Sequence, residues 1–192
     1  MSTLSANTLF HFTRSKDTLI NILKTRFYPR LCLEEIIIGT KSAKIAFPMV
    51  CFCDIPLSQI GNHASTYGKY AIGLKKEWAI KNGITPILYT HSTSLLCDNL
   101  RENLNDVRGK KSDNLFFNLI YTAGFIKPYS SSLSIKKKKI QVINYNEREW
   151  RYIPPKSILL SNNLTSYKDY AGGVLAVDIS VACIYVVSLG KV

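Results

Sequence analysis

The order of apolar and polar positions in the first 90 residues predicts short strands that alternate with short helices. Four apolar or alternating runs, bounded by turn residues, are typical of strands: residues 9–13, 47–53, 70–74 and 86–90. Ser15 is placed to cap a helix whose apolar positions, Leu19, Ile20, Ile22 and Leu23, have helical spacing. A second helix is predicted over residues 75–82, before Gly83.

The pattern changes between residues 91 and 139. Residues 91–105 and 114–121 have helical periodicity, and a polar stretch joins them. Between residues 101 and 139 there are nine basic and three acidic residues, a net of +6 out of +12 for the whole chain. We therefore predict one domain, residues 1–192, that contains a helical, basic insertion or loop region at residues 91–139.

The remainder of the chain returns to strand-like patterns. Residues 140–144 and 147–153 are predicted to pair around Tyr145 and Asn146, and residues 174–177 and 184–189 are predicted as two final strands. Strands and helices that follow one another in this uneven order favour an α+β fold over a regular parallel sheet.

The composition of the chain predicts a class of binding partner and a cellular compartment. The 25 Lys and Arg residues against 13 Asp and Glu favour an anionic partner, such as a nucleotide, RNA, DNA or an acidic protein. The five cysteines have no zinc-site spacing, so we predict no metal and a reducing compartment. The N-terminus lacks the pattern of a signal peptide, and the run 174–189 is too short to span a bilayer. These features predict a cytoplasmic protein with no membrane partner.

The least ordinary stretch is residues 147–152. In a strand, Glu147, Glu149 and Arg151 share one face, and two carboxylates with a guanidinium are costly to bury without a purpose. The alternatives are a functional site and a ladder of ion pairs on an exposed sheet. His11, between Phe10 and Phe12, likewise suits either a hydrogen-bonded core histidine or a ligand contact.

Several segments together resemble the AbiGi family of bacterial abortive-infection proteins, which act in phage defence. The segments that carry this resemblance are LFHFT, FYPRLCLEE, the long run from PMVCFCDIPL to GITPILY, GFIKPY and NEREWRYIP. The resemblance implies a component of a two-gene defence system, with a cognate toxin or antitoxin protein as its partner.

The order of motifs is also similar to that of ADP-ribosyltransferases. The resemblance implies a split antiparallel or mixed sheet with flanking helices, and NAD as a substrate. It assigns the catalytic role to Glu149, with Glu147 as the alternative, and ribose binding to His11 and Thr13 of the H-x-T-like pattern. Tyr67 or Tyr70 would stack on nicotinamide, and Arg14, Arg30 or Arg151 would meet the pyrophosphate.

Three functions follow as alternatives. The leading prediction is an NAD-dependent ADP-ribosyltransferase that acts as a toxin in phage defence and modifies a nucleic acid or a protein. The second is a non-catalytic antitoxin that holds a toxin. The third is a nucleic-acid-binding protein whose phosphate contacts come from the basic run Lys136, Lys137, Lys138 and Lys139.

Overall fold

The computed structural model describes residues 7–38, 41–91, 93–107, 113–135 and 138–155. Its strands are β1 (Thr8–Thr13), β2 (Arg30–Ile38), β3 (Lys41–Cys53), β4 (Tyr70–Lys75), β5 (Thr85–Pro86), β6 (Leu88–Thr90), β7 (Ile126–Pro128), β8 (Ser130–Ile135), β9 (Lys138–Ile143) and β10 (Glu149–Tyr152). Its α-helices are α1 (Lys16–Lys24), α2 (Ile60–Tyr67), α3 (Lys76–Lys81), α4 (Leu95–Val107) and α5 (Asp113–Ala123). The predicted α+β class is confirmed.

The main sheet has the strand order β4-β1-β3-β10-β5, with β2 also paired to β3, and every pairing in it is antiparallel. The first part of β3 pairs with β2, from Lys41 opposite Ile38 to Met49 opposite Arg30. Its last four residues, Val50 to Cys53, pair with β10 instead. This change of partner along one strand lets side chains of β2 and β10 meet over β3.

Both faces of β3 are buried, which explains its continuous apolar run. Val50 and Phe52 belong to one hydrophobic cluster, against which Leu19 and Ile22 of α1 pack. Phe47 and Met49 belong to a second cluster, which contains residues of α4 and α5. The sheet is therefore a middle layer, with α1 on one face and α4 and α5 on the other.

In the sequence, α4 and α5 connect β6 to β7, and these two strands pair in parallel. Leu104, Ile120 and Ala123 are buried in the second cluster, so the predicted helical region contributes directly to the hydrophobic core. No helix within the described ranges has the length and apolar content that crossing a membrane requires.

The predicted pairing of residues 140–144 with 147–153 is wrong. β9 forms a hairpin with β8, whereas β10 joins β3 and β5. A 3₁₀ turn over Asn144–Glu147 separates β9 from β10, and Arg148 follows it with a φ of 45°, in the left-handed region. This turn redirects the chain into the main sheet. The two strands predicted at 174–177 and 184–189 lie outside the described residues.

Candidate functional site

The carboxylate of Glu149 and the guanidinium of Arg151 lie side by side on one face of β10, as the period of a strand predicts. Arg151 Nε donates to Glu149 Oε1 at 2.7 Å, and Arg151 Nη2 lies 3.2 Å from Glu149 Oε2. Both residues are buried, Arg151 completely. The exposed ion-pair ladder is therefore excluded for this pair.

Arg151 is bound by three separate parts of the chain. Besides Glu149, its Nη1 donates to the backbone carbonyl of Gly124 at 2.6 Å, and its Nη2 donates to Glu34 Oε1 of β2 at 2.9 Å. A buried guanidinium needs such a set of acceptors to offset the loss of water. Arg151 thus links β10 to β2 and to the end of α5.

Lys127 of β7 extends this network to Glu147. Its ammonium donates to Glu147 Oε2 at 2.5 Å and to Glu149 Oε2 at 3.0 Å. Tyr67, at the end of α2, donates its hydroxyl hydrogen to Glu147 Oε1 at 2.7 Å, and Tyr89 Oη accepts the backbone N–H of Glu149 at 2.9 Å. We call these residues the ionic cluster: Glu34, Tyr67, Tyr89, Lys127, Glu147, Glu149 and Arg151.

The electrostatics of the ionic cluster keep its central carboxylate charged. Burial raises the pKa of Glu149, but hydrogen bonds and positive charge from Arg151, together with Lys127, outweigh burial and lower the pKa to about 2. Burial also disfavours the ammonium of Lys127, yet the charges of Glu149 and Glu147 raise its pKa. For Glu34, which is at the edge of the cluster, burial prevails over Arg151 and raises the pKa.

Chemically, Glu149 is an anion with both oxygens occupied by cations. The catalytic role that the resemblance assigns to Glu149 requires a carboxylate oxygen that faces a substrate, and here both oxygens face Arg151 and Lys127. Glu149 has a pKa of about 2, three hydrogen bonds from Arg151 and Lys127, and almost no exposure. The cluster thus links β2, β7 and β10 with the ends of α2 and α5.

His11 lies on the other face of the sheet from Glu149. Its ring packs against Phe27 and Phe52 of the first hydrophobic cluster, and Nδ1 lies 2.8 Å from the carbonyl oxygen of Cys51. Trp150, next to Glu149 in the strand, packs against that same cluster, so Glu149 projects oppositely. Burial lowers the pKa of His11, which favours the neutral ring. The structure therefore does not bring His11 and Glu149 together.

The remaining predicted ligand-binding residues are spread over the rim of β1 and β4. Thr13 is buried and its hydroxyl donates to the carbonyl oxygen of Ser15, at the start of α1. Arg14 and Tyr70 are exposed, and Tyr70 lies opposite Thr13 in the strand pairing. Of the two candidate tyrosines, Tyr67 contacts the ionic cluster, through Glu147.

Two of the four predicted nucleic-acid-binding lysines belong to the described β8–β9 hairpin. The backbones of Lys138 and Lys139 belong to β9, while Lys136 and Lys137 lie outside the described residues. Phosphate binding by this run stays a prediction. Within the described ranges, the structure contains no group of three or more His, Cys, Asp or Glu residues that could hold a metal ion.

Sequence reasoning missed Glu34, Tyr89 and Lys127. They reach Glu149 and Arg151 across 117, 60 and 22 residues of sequence, respectively. Lys127 carried one signal, since it is the lone charge in the apolar segment GFIKPY. Nothing local marked Glu34, because it stands in a strand beside an exposed acidic residue, Glu35.

The geometry defines an α+β protein whose central carboxylate is held in a closed ionic network. The sequence matches a family profile over residues 25–172, and the family is described as "Putative abortive phage resistance protein AbiGi, antitoxin". This match covers most of the chain, which therefore belongs to the AbiGi family, as its motifs predicted.

A relative from Lactococcus lactis subsp. cremoris, named "Abortive phage resistance protein AbiGi", is 34% identical over 154 residues. The match covers 67% of this chain and 60% of the relative, so the chain spans less than two thirds of the relative's length. No solved structure matches the chain. The ADP-ribosyltransferase-like refinement of the fold thus stays a prediction.

The leading functional prediction, an NAD-dependent ADP-ribosyltransferase toxin, is wrong. The family description names an antitoxin, which is the second alternative that the sequence left open. The motif order H…Y…E specifies only the positions of these residues along the chain. In the structure, His11 and Glu149 lie on opposite faces of the sheet. Binding of NAD stays a prediction from the resemblance.

Proposed function

We propose that this chain is a non-catalytic antitoxin, which neutralises the toxin of a two-gene abortive-infection system by binding it. The family description supports the antitoxin role. The observation that carries the proposal is the state of Glu149, whose two oxygens are both taken by Arg151 and Lys127 inside the protein. A carboxylate so engaged stabilises a fold and leaves partner binding to the surface.

The surface offers residues suited to binding a protein. Tyr67, Tyr70, Tyr129 and Tyr145 each have about two fifths to one half of their area exposed. Tyrosine is enriched among residues that dominate protein interfaces, because it combines a large apolar ring with a hydroxyl. Tyr129 and Tyr145 stack with ring centroids 5.7 Å apart, so they are held in place before any partner arrives.

The test is neutralisation with a direct measure of binding. The protein encoded by the adjacent gene is expressed in a bacterial host with and without this chain, and growth is followed. Affinity purification then asks whether the two proteins form a stable complex. We expect growth arrest by the adjacent protein alone, rescue by this chain, and a complex in the rescued cells.

Incubation of this chain with labelled NAD and pools of RNA, DNA and cell protein provides the control. We expect no transfer of label. The proposal fails if the chain is itself toxic, if rescue occurs without a complex, or if the wild type transfers label.

A further inference from the structure

The edge of the main sheet at β4 differs from its other edges. Besides its two ends, β4 and β5, the main sheet has an edge at β2, which among the described residues pairs only with β3 and carries two acidic residues, Glu34 and Glu35. β5, at the far end, has only two residues, and one of them is Pro86, which cannot donate a backbone hydrogen bond. β4 has six residues and no proline, and among the described residues it pairs only with β1. An unpaired edge of this length is a template for another strand.

The register shows which backbone groups of β4 point outward. The N–H of Lys76 donates to the carbonyl oxygen of Asn7 at 3.0 Å, just beyond the last strand pair. In an antiparallel pair, directly opposed residues alternate between those that bond to the partner strand and those that do not. Tyr70, Ile72 and Leu74 therefore bond to β1, and Ala71, Gly73 and Lys75 direct their N–H and C=O groups away from it.

The side chains around this edge are basic and aromatic. Lys69 and Lys75 are exposed at the two ends of β4, and Arg14 and Lys16 are exposed at the end of β1. Arg14 is a close neighbour of Lys69, because the ideal Cβ position of Gly68 lies only 2.7 Å from Arg14 Cα. Tyr70, which lies opposite Thr13 in the strand pairing, has an exposed ring at this same corner.

Of the acidic groups near this edge, two belong to helix N-termini, and two others, Asp54 and Glu147, are already paired with Lys76 and Lys127. Asp17 and Glu77 lie in the first turns of α1 and α3, where a carboxylate is stabilised by the backbone N–H groups of its own helix. The strand itself and the two residues before it, 68–75, contain no acidic residue. A segment that approaches the β4 edge therefore meets mainly positive side chains.

We infer that the β4 edge is the surface that binds the toxin, and that it takes an acidic, extended segment of that protein as an additional antiparallel or parallel strand. The inference rests on the proposed antitoxin function. Outward N–H and C=O groups in strand spacing match a peptide backbone, and the lysines match carboxylate side chains. Nucleic acid would use the positive charge but leave the strand-spaced backbone groups unpaired, so a protein segment is the better fit.

Two pairs of variants separate charge from backbone pairing. Lys69→Glu with Lys75→Glu reverses the edge charge, and its matched control, Lys24→Glu with Lys44→Glu, makes the same change at exposed lysines of α1 and β3. Ala71→Pro removes one outward N–H and keeps the bonds to β1, while Ala71→Val keeps that N–H. Each variant is first checked for folding by circular dichroism and thermal unfolding.

The measurement is the dissociation constant for the purified protein encoded by the adjacent gene. We expect the charge reversal at β4 to weaken binding by at least about tenfold, and the control reversal to change it by less than about twofold. Ala71→Pro should weaken binding about three- to tenfold, which is the effect of one lost backbone hydrogen bond, and Ala71→Val should not. Hydrogen exchange in the wild-type complex should protect the amides of Ala71 and Gly73.

Several outcomes would overturn the inference. Unchanged affinity in both β4 variants, or no added protection of Ala71 and Gly73, would place the interface elsewhere. Loss of binding in the charge variant but not in Ala71→Pro would mean that the edge attracts the toxin by charge and does not pair with it as a strand. Tight, lysine-dependent binding of single-stranded RNA that competes with the protein would make the edge a nucleic-acid surface. A wild-type chain that binds no adjacent-gene product would overturn the proposed function as well.

Discussion

At the scale of single residues, Arg151 determines what its neighbours can be. A fully buried guanidinium cannot lose its proton, so every acceptor around it must stay in place. Glu149 and Glu34 accept hydrogen bonds from Arg151 through carboxylate oxygens, and the third acceptor is the backbone carbonyl of Gly124. An added Cβ on Gly124 would lie 2.7 Å from Ile153 Cδ1 and 3.1 Å from the Phe47 ring, so both side chains would have to shift.

Glu149→Gln should destabilise the protein strongly, because it removes the charge that compensates buried Arg151 and Lys127. Loss of one partner from a buried pair costs about 3–5 kcal/mol. Urea unfolding followed by circular dichroism measures the loss in free energy of unfolding. Glu35→Gln is the matched control: its side chain is exposed on β2, so the change should stay within about 0.5 kcal/mol. Equal, small losses in both variants would show that the ionic cluster does not support the fold.

The free energy of unfolding should depend on pH through the titration of Glu149. Its pKa falls from an ordinary value of 4.5 to about 2 in the folded state, so its stabilisation is complete above about pH 4.5. This stabilisation is lost as pH falls from there through about 2, and it amounts to about 3 kcal/mol. Unfolding measured across this range should show a smaller acid-induced loss in Glu149→Gln than in the wild type. Identical profiles would contradict the assignment.

Gly68 and Gly83 provide a matched test of backbone packing. Both have a positive φ, of 128° and 74°. A Cβ on Gly68 would lie 2.0 Å from the carbonyl oxygen of Thr13, whereas a Cβ on Gly83 meets nothing within 4 Å. Gly83→Ala should cost about 1 kcal/mol for the left-handed backbone alone, and Gly68→Ala should cost more than about 2 kcal/mol. Thermal unfolding of the two variants checks this order, and a reversed order would contradict it.

At the scale of elements, the sequence pattern predicted strands that are buried and failed where strands depend on distant partners. Residues 47–53 were predicted because both faces of that part of β3 are apolar. The earlier part of β3, from Lys41, contains lysines and is a strand because it pairs with β2 along its length. No local pattern encodes that pairing, just as none encodes the contact between Glu34 and Arg151.

The same limit applies to the candidate site. The period of two placed Glu149 and Arg151 on one face correctly, since that relation is local. The position of His11 relative to Glu149 depends on how β1, β3 and β10 align in the sheet, which sequence order does not specify. The left-handed Arg148 was equally hidden, because arginine is not a residue that typically signals a turn.

Asn144 should hold the β8–β9 hairpin against the rest of the structure. Its buried amide accepts from Ser131 Oγ at 3.0 Å and donates to the Pro128 carbonyl at 2.9 Å. Asn144→Ala should leave this carbonyl and hydroxyl unsatisfied, at a cost of about 1–3 kcal/mol, and should speed hydrogen exchange in residues 130–132 more than in β1. Asn146→Ala, at an exposed position of the same turn, is the control and should change neither.

At the scale of the whole molecule, several acidic side chains are neutralised by ion pairs inside the fold and do not offset the positive charge of the surface. Glu147, Glu149 and Asp54 pair with Lys127, Arg151 and Lys76. Because each of these pairs is neutral as a unit, the formal excess of +12 belongs to the other residues. The fold therefore presents a partner with a more one-sided charge than a mixed surface would, and this field extends beyond the contact itself.

Binding to the adjacent-gene product should therefore depend on salt mainly through the association rate. Charge steers two proteins together over about a Debye length, which shrinks from about 10 Å at 0.1 M to about 3 Å at 1 M ionic strength. Stopped-flow or surface-plasmon measurements across this range should show the association rate falling by at least about tenfold, with a much smaller change in dissociation. The Lys69→Glu, Lys75→Glu variant should show a shallower dependence than Lys24→Glu, Lys44→Glu, because only the first pair lies at the proposed contact. Equal slopes for both would mean that net charge alone, and no particular surface, accelerates the encounter.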